Sequence, residues 1–286
     1  MVNAAQLTYN CGIGVYFYGA IGNDENGGKL KSLLKKTPVN IDQYFTINGE
    51  STPFTNVLSD PCCDNGRGER IFINNIGAAW KFDPSCLDSF FYKSDMVVFG
   101  GTALVPILHD NLETVLKKAK DNNSITIVNT VYDFRNEKKD PNGKWPLGKN
   151  CSAYPFIDLL IADHEEALRL SGTNNLKEAI EFFIQNNTGA FIITHGANPV
   201  TVYSSGKIFE EMMVSVMPVL ETVKLELESN SNKAGDTTGC GDNFVGGVIA
   251  SMAKQMQTHK NKFKRSMQLG CCIRRICLFL PWRYIL

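Results

Sequence analysis

A layered α/β fold with a mostly parallel central sheet is what this chain predicts, and three observations predict it. Short apolar runs rich in β-branched residues recur at 96–100, 125–129, 157–162 and 190–194, the composition of strands buried on both faces. Helical patterns at 108–122, 165–171 and 175–186 separate them, and such alternation builds βαβ units with helices on both faces of one sheet. The 286 residues, 43% hydrophobic, are enough for a single large domain, 1–286, and neither a repeat nor a low-complexity linker divides them.

Taken in order, residues 14–22 read as a short apolar strand closed by a glycine turn, and Asn26 and Gly27 begin the approach to a helix that runs to Lys36. Residues 52–80 break the alternation: runs at 54–58 and 69–73 flank a polar tip at 60–68, the pattern of a surface hairpin. After the strand at 125–129, Asp133 and Arg135 stand either at the carboxyl edge of the sheet, where ligands of open α/β sheets bind, or as a plain surface ion pair. Residues 145–148 read as loop. Asp163, His164, Glu165 and Glu166 follow the strand at 157–162, and Thr194, His195 and Gly196 turn the chain after 190–194. The small, apolar run 245–254 is a buried helix.

Chemistry concentrates just before that helix. Asp236, Thr237, Gly239, Cys240, Gly241 and Asp242 form a glycine-rich turn with two acids six positions apart. Gly239, Cys240 and Gly241 fall at the helix N-terminus, where backbone N–H groups and the helix dipole converge on one spot that suits a phosphate. Asp242, where the phosphate arrives, is placed to take a proton from an attacking hydroxyl.

This string resembles the C-terminal signature of the ribokinase/PfkB family of carbohydrate and nucleoside kinases. The resemblance implies that Asp242 is the catalytic base and touches the acceptor, that Gly239 to Gly241 form the anion hole, and that Asp236 and Thr237 lie near the nucleotide phosphates and a monovalent cation such as K⁺. A second match, Asn3, Ala4 and Ala5, then Gly12, then Gly22, Asn23 and Asp24, fits the spacing of the family's N-terminal signature and makes Asn3 a candidate acceptor contact. Asp163 to Glu166 occupies the place of an Asn-x-x-Glu motif linked to the Mg²⁺-nucleotide, with aspartate where the family has asparagine. Glu166 would organise metal-bound water, and Asp163 would add negative charge near the triphosphate. An N-cap with acids in the first turn fits the same residues equally well. Thr194 and Gly196 are similar to the family's turn along the nucleotide, and the 52–80 hairpin becomes a lid that keeps water from the phosphoryl group.

The resemblance implies a ribokinase-like three-layer fold and transfer of the ATP γ-phosphate to a primary hydroxyl of a sugar, with Mg²⁺ as cofactor. A nucleoside acceptor and a non-catalytic fragment are the alternatives. The departures are as specific as the matches. Family members begin with a strand bearing a sugar-binding aspartate, lid strands and a glycine pair ahead of the position of Asn3. The chain is therefore expected to be incomplete there, with an unpaired sheet edge or a groove in mid-sheet. The tail at 272–286 lacks helical amphipathicity. Reverse-translated and read one base later, it yields a glycine-rich peptide similar to a family C-terminus, so a frameshift near residue 272 is expected, with a divergent tail as the alternative.

Lys+Arg and Asp+Glu both number 29, which supplies no overall charge for nucleic acid or an anionic membrane. No run has the length of a membrane span and the start has no signal-peptide pattern, so a cytoplasmic setting is expected. The 9 cysteines include adjacent pairs rather than zinc or redox spacings, as fits reduced thiols. Histidines at 109, 164, 195 and 259 show no nucleophile partner. Pairing through lid edges is the expected route to a homodimer.

Overall fold

The chain pairs its strands in one long sheet and two short ones. The computed structural model describes residues 1–60, 62, 69–196, 198–218, 239–258, 265, 266, 268 and 270. Asp236, Thr237, the hairpin tip at 63–68 and the tail at 272–286 lie outside the described residues.

In chain order the elements begin with α1 (Val2–Thr8), β1 (Gly19–Gly22), α2 (Glu25–Leu34), β2 (Tyr44–Ile47), β3 (Phe54–Asp60) and β4 (Glu69–Asn75). Then come α3 (Ser89–Tyr92), β5 (Met96–Gly100), α4 (Pro106–Asp110), α5 (Leu112–Asp121), β6 (Ile125–Asn129) and α6 (Phe134–Lys139). The chain continues through β7 (Leu159–Asp163), α7 (His164–Ser171), α8 (Leu176–Gln185), β8 (Ala190–His195), β9 (Asn198–Ser204), β10 (Met212–Met217) and α9 (Cys240–Met256).

The main sheet has six strands in the order β10-β9-β8-β7-β6-β5. β5 to β8 are parallel, and β9 and β10 add antiparallel. Alternation along each strand divides the core in two. Val97, Phe99, Phe191 and Ile193 pack with Leu116 of α5, Ala167 of α7 and Phe183 of α8. Met96, Val98, Ala190 and Ile192 face the side of Phe244, Val248 and Met252 of α9. Helices therefore cover both faces of the sheet.

β1 and β2 pair in parallel as a separate sheet, with Ile21 and Tyr44 packed on Leu34 of α2. β3 and β4 form an antiparallel hairpin. Between the β1–β2 sheet and β5 lies a cleft of about 1500 Å³, lined by Tyr16, Tyr18 and Ala20 on one side and by Met96, Val98 and Gly100 on the other.

Three expectations change. Only Gly19–Gly22 of the 14–22 run is strand; Tyr16 makes an isolated bridge to Asn40. The helix expected over 108–122 is two helices, because Asn111 leaves helical geometry and its amide donates to the Ile107 carbonyl at 2.8 Å, competing with the backbone ladder. Asp133 and Arg135 do not pair with each other: the Arg135 guanidinium is bidentate on Asp110, while Asp133, 3% exposed, caps α6. Residues 145–148 do run as loop, yet the Trp145 indole is buried and donates to Glu137 Oε2 at 3.1 Å.

Candidate active site

Gly239 caps α9 with φ of 80°, a left-handed conformation that a side chain resists, and its carbonyl accepts the first helical bond from Asn243 at 2.9 Å. The helix that follows runs for 17 residues, so its dipole is aimed at the turn Gly239–Gly241. Gly241 borders open space, with no atom within 4 Å of where a Cβ would stand. Asp242 sits in the first turn, exposed to the large cleft. Surrounding protein still strips enough water to push its carboxyl pKa up, an effect that the nearby Met1 amino group opposes.

α1 packs along α9 and brings Asn3 to this turn. The Asn3 amide donates to the Asn243 side-chain carbonyl. Close approach of the two helices depends on Gly246, whose added Cβ would stand 2.8 Å from Asn3 Cβ. Asn3 and Asp242, 239 positions apart in sequence, are thereby brought to the same end of α9; Asn243, which holds Asn3 there, carried no signal of its own in the sequence.

The same cleft reaches the carboxyl ends of β5 and β6, where Gly101, Thr102, Asn129 and Thr130 line it, the edge at which open α/β sheets bind ligands. Thr130 connects this wall to the acidic turn after β7: its hydroxyl donates to Glu166 Oε2 at 2.6 Å. Asp163 and Glu166 form a complete capping box for α7, with Glu166 N–H donating to Asp163 at 2.8 Å and Asp163 N–H donating to Glu166 Oε2 at 3.1 Å. The capping reading therefore holds, and a binding role is not displaced by it. Glu166 is 8% exposed, and burial together with the Asp163 charge pushes its pKa up to about 7. Its Oε1 accepts no hydrogen bond among the described residues.

β7 and β8 are in register at Asp163 and Thr194, which sets the acidic turn beside the next one. Gly196 takes φ of 52°. The His164 and His195 rings stack across these turns at 4.2 Å between centroids and 17° between planes. Burial and the neighbouring imidazole hold the His164 pKa down. This contact joins two histidines that look unrelated in sequence, and only the β7–β8 register reveals it.

Other residues of the N-terminal match are structural. Asp24 caps α2 and accepts from Gly27 N–H at 2.8 Å and from the Thr52 N–H at 2.8 Å and hydroxyl at 2.5 Å; these Thr52 bonds hold its pKa down. They tie the β1 turn to the start of the hairpin. That hairpin exposes Leu58, Ile71 and Ile73, each more than half accessible.

Oxygen ligands suit Mg²⁺, and the carboxylate oxygens present at this edge are those of Asp163 and Glu166, with Glu166 oriented by Thr130. Among the described residues no group of three or more His, Cys, Asp or Glu gathers as a protein-only metal cage. A cation at this edge would therefore take its remaining ligands from water and phosphate, as Mg²⁺ does.

Residues 1–273 match the pfkB family carbohydrate kinase. The chain is 27% identical to Adenosine kinase 2 of Arabidopsis thaliana over 274 residues, covering 89% of this chain and 69% of that protein. Its fold is similar to the crystal structure of Anopheles gambiae adenosine kinase in complex with P1,P4-di(adenosine-5) tetraphosphate, with a TM-score of 0.75, 22% identity, and coverage of 99% and 80% of the two chains. It is also similar to a putative Ribokinase II in complex with ATP and Mg²⁺ from E. coli, with a TM-score of 0.69, 19% identity, and coverage of 98% and 81%.

Proposed function

The chain belongs to the pfkB family of carbohydrate kinases, and from that premise we propose that it transfers the γ-phosphate of ATP to a primary hydroxyl of a sugar or sugar derivative. One observation carries the reading: Asp242 opens on the cleft at the N-terminus of a 17-residue helix, with Asn3 held beside it and the carboxyl edge of the sheet opposite.

Asp242 takes the proton of the acceptor hydroxyl as its oxygen attacks. Its raised pKa brings it nearer to the proton it must accept without making it a strong base in the resting site. The N–H groups at Gly239, Cys240 and Gly241 face the charge that builds on the transferred group. Asn3 contacts the acceptor and is itself oriented by Asn243. Asp163, Thr194 and Gly196 line the nucleotide side, and Glu166 would hold Mg²⁺ through water. Mg²⁺ bound with ATP would supply neutralisation of phosphate charge. The β3–β4 hairpin is the lid, whose exposed apolar side chains are covered when it closes and whose free edges are the route to a homodimer. ATP as cosubstrate and free thiols at Cys11, Cys62, Cys86 and Cys151 suit the cytoplasm. Among the described residues no helix is long and apolar enough to cross a membrane.

A nucleoside acceptor is the second reading, favoured by the similarity to adenosine kinases in both sequence and fold. Either acceptor presents a primary hydroxyl to the same base. The test is ADP formation from ATP and Mg²⁺ against ribose, fructose and adenosine, with Asp242→Asn alongside. Turnover with one acceptor that the variant loses supports the assignment; phosphorylation undiminished in the variant overturns it.

A further inference from the structure

Thr130 belongs to two walls at once. It lines the cleft on which Asp242 opens, beside Asn129 at the carboxyl end of β6, and its main chain is pinned to β7, with its N–H donating to the Ile161 carbonyl at 3.0 Å. A β-branched side chain on a pinned backbone has little rotamer freedom, so the sheet sets the direction of its hydroxyl. Two acceptors lie within reach: Glu166 Oε2 at 2.6 Å and the Ile161 carbonyl at 3.3 Å. A hydroxyl has one proton to give. The shorter contact falls in the range of O–H···O⁻ bonds to an ionised carboxylate, which are the stronger kind, so the proton goes to Glu166.

That bond decides which oxygen of Glu166 is left for a ligand. Oε2 takes two donors, the Thr130 hydroxyl and the Asp163 N–H, whereas Oε1 takes none among the described residues. The terminal torsion of a glutamate is broad and roughly two-fold, so one donor alone leaves the two oxygens free to exchange. A second donor, reaching in from a different strand, fixes Oε2 and with it Oε1. Glu166 is nearly buried, and a buried carboxylate oxygen is costly unless a donor or a cation meets it. Among the described residues, Thr130 is the cleft-lining side chain that bonds to either acid of this edge.

We propose that Thr130 is a positioning residue for the metal edge: its hydroxyl holds Glu166 so that Oε1 is kept for the water shell of a divalent cation that arrives with the nucleotide. This rests on the kinase reading above. Thr130 acts through Glu166 and touches neither the cation nor the reacting atoms. The bond is in place before any ligand binds, so the carboxylate is preorganised by a residue of the neighbouring wall.

The test uses the full chain, Mn²⁺ as the metal probe and a non-hydrolysable ATP analogue. Mn²⁺ affinity is read from its EPR signal and analogue affinity by calorimetry. Thr130→Val keeps the β-branched shape and removes the donor, Thr130→Ala removes the donor and the bulk, and Thr130→Ser keeps the hydroxyl. Thr130→Val and Thr130→Ala are expected to weaken Mn²⁺ binding beside the analogue by about 10- to 100-fold, the usual cost of losing a partner of a metal ligand. Thr130→Ser keeps the parental affinity, and all three variants bind the analogue without metal as the parent does. In a Glu166→Gln background, Thr130→Val is expected to change Mn²⁺ affinity by less than about twofold, because the group it acts through is gone. Parental Mn²⁺ affinity in Thr130→Val, an equal loss in Thr130→Ser, or a full loss that persists in Glu166→Gln overturns the role of Thr130 and leaves the kinase reading standing. A parent that binds the analogue no better with Mn²⁺ than without it overturns the metal-nucleotide reading itself, and this role with it.

Discussion

Asn3, in the first helix, donates a hydrogen bond to Asn243, in the last long helix, across 240 positions of sequence. The bond fixes the start of α1 beside Asp242. Asn243 is 8% exposed, so losing its partner leaves a nearly buried amide short of a bond. Asn3→Ala is expected to destabilise the protein by about 1–3 kcal/mol. In a double-mutant cycle, Asn3→Ala with Asn243→Ala is expected to cost less than the two single changes together, as urea denaturation would measure. Additive costs would mean that the amides act independently.

Asp242→Asn replaces the proposed base and changes little volume. Turnover is expected to fall by a factor of roughly 10² to 10⁴, the range that general-base catalysis supplies, with ATP affinity nearly unchanged. The raised Asp242 pKa also sets the pH profile. Because the carboxyl must be ionised to accept the proton, kcat/KM is expected to decline on acidification at a higher pH than an ordinary aspartate would give. A rate flat down to the usual aspartate range would remove Asp242 from the role.

Glu166 gives stability a pH dependence of the opposite sign from that of a salt-bridged acid. Its folded pKa is about 7 against an ordinary value of 4.5, so the folded state holds the extra proton between those values. Stability is then greatest below pH 4.5 as far as this group goes, falls as pH rises through the window, and stays reduced above 7. The loss is at most roughly 3 kcal/mol. With Mg²⁺ chelated, Glu166→Gln is expected to be more stable than the parent at pH 8, and the gap should close by pH 4.5 in melting experiments. A constant offset across that range would show that Glu166 is ionised throughout.

Strands β6, β7 and β8 were legible because burial on both faces imposes unbroken apolar runs, and the turn at Gly239–Asp242 was legible because its groups are adjacent in the chain. β9 and β10 were not, since β10 is half-exposed with Met213 and Val216 in solvent, and a polar turn signal outweighs such a strand. The Thr130–Glu166 bond and the His164–His195 stack depend on which strands lie side by side, and no local pattern encodes that register. Trp145 illustrates the same limit: its segment has no period, yet tertiary packing buries the ring.

Two glycines of α9 separate architecture from chemistry. At Gly246 an added methyl would meet Asn3 Cβ at 2.8 Å, with the Ala4 backbone nitrogen behind it at 3.5 Å, so α1 must shift. Gly246→Ala is expected to cost about 1–3 kcal/mol despite the better helix propensity of alanine. At Gly241 the methyl would enter open space, and alanine there should leave stability unchanged or raise it by up to about 1 kcal/mol. That open space is where the transferred phosphate is proposed to approach, so Gly241→Ala is expected to lower turnover while raising or preserving the melting temperature. If Gly241→Ala keeps full activity, the phosphate does not pass over that position and the anion hole must be drawn from its neighbours.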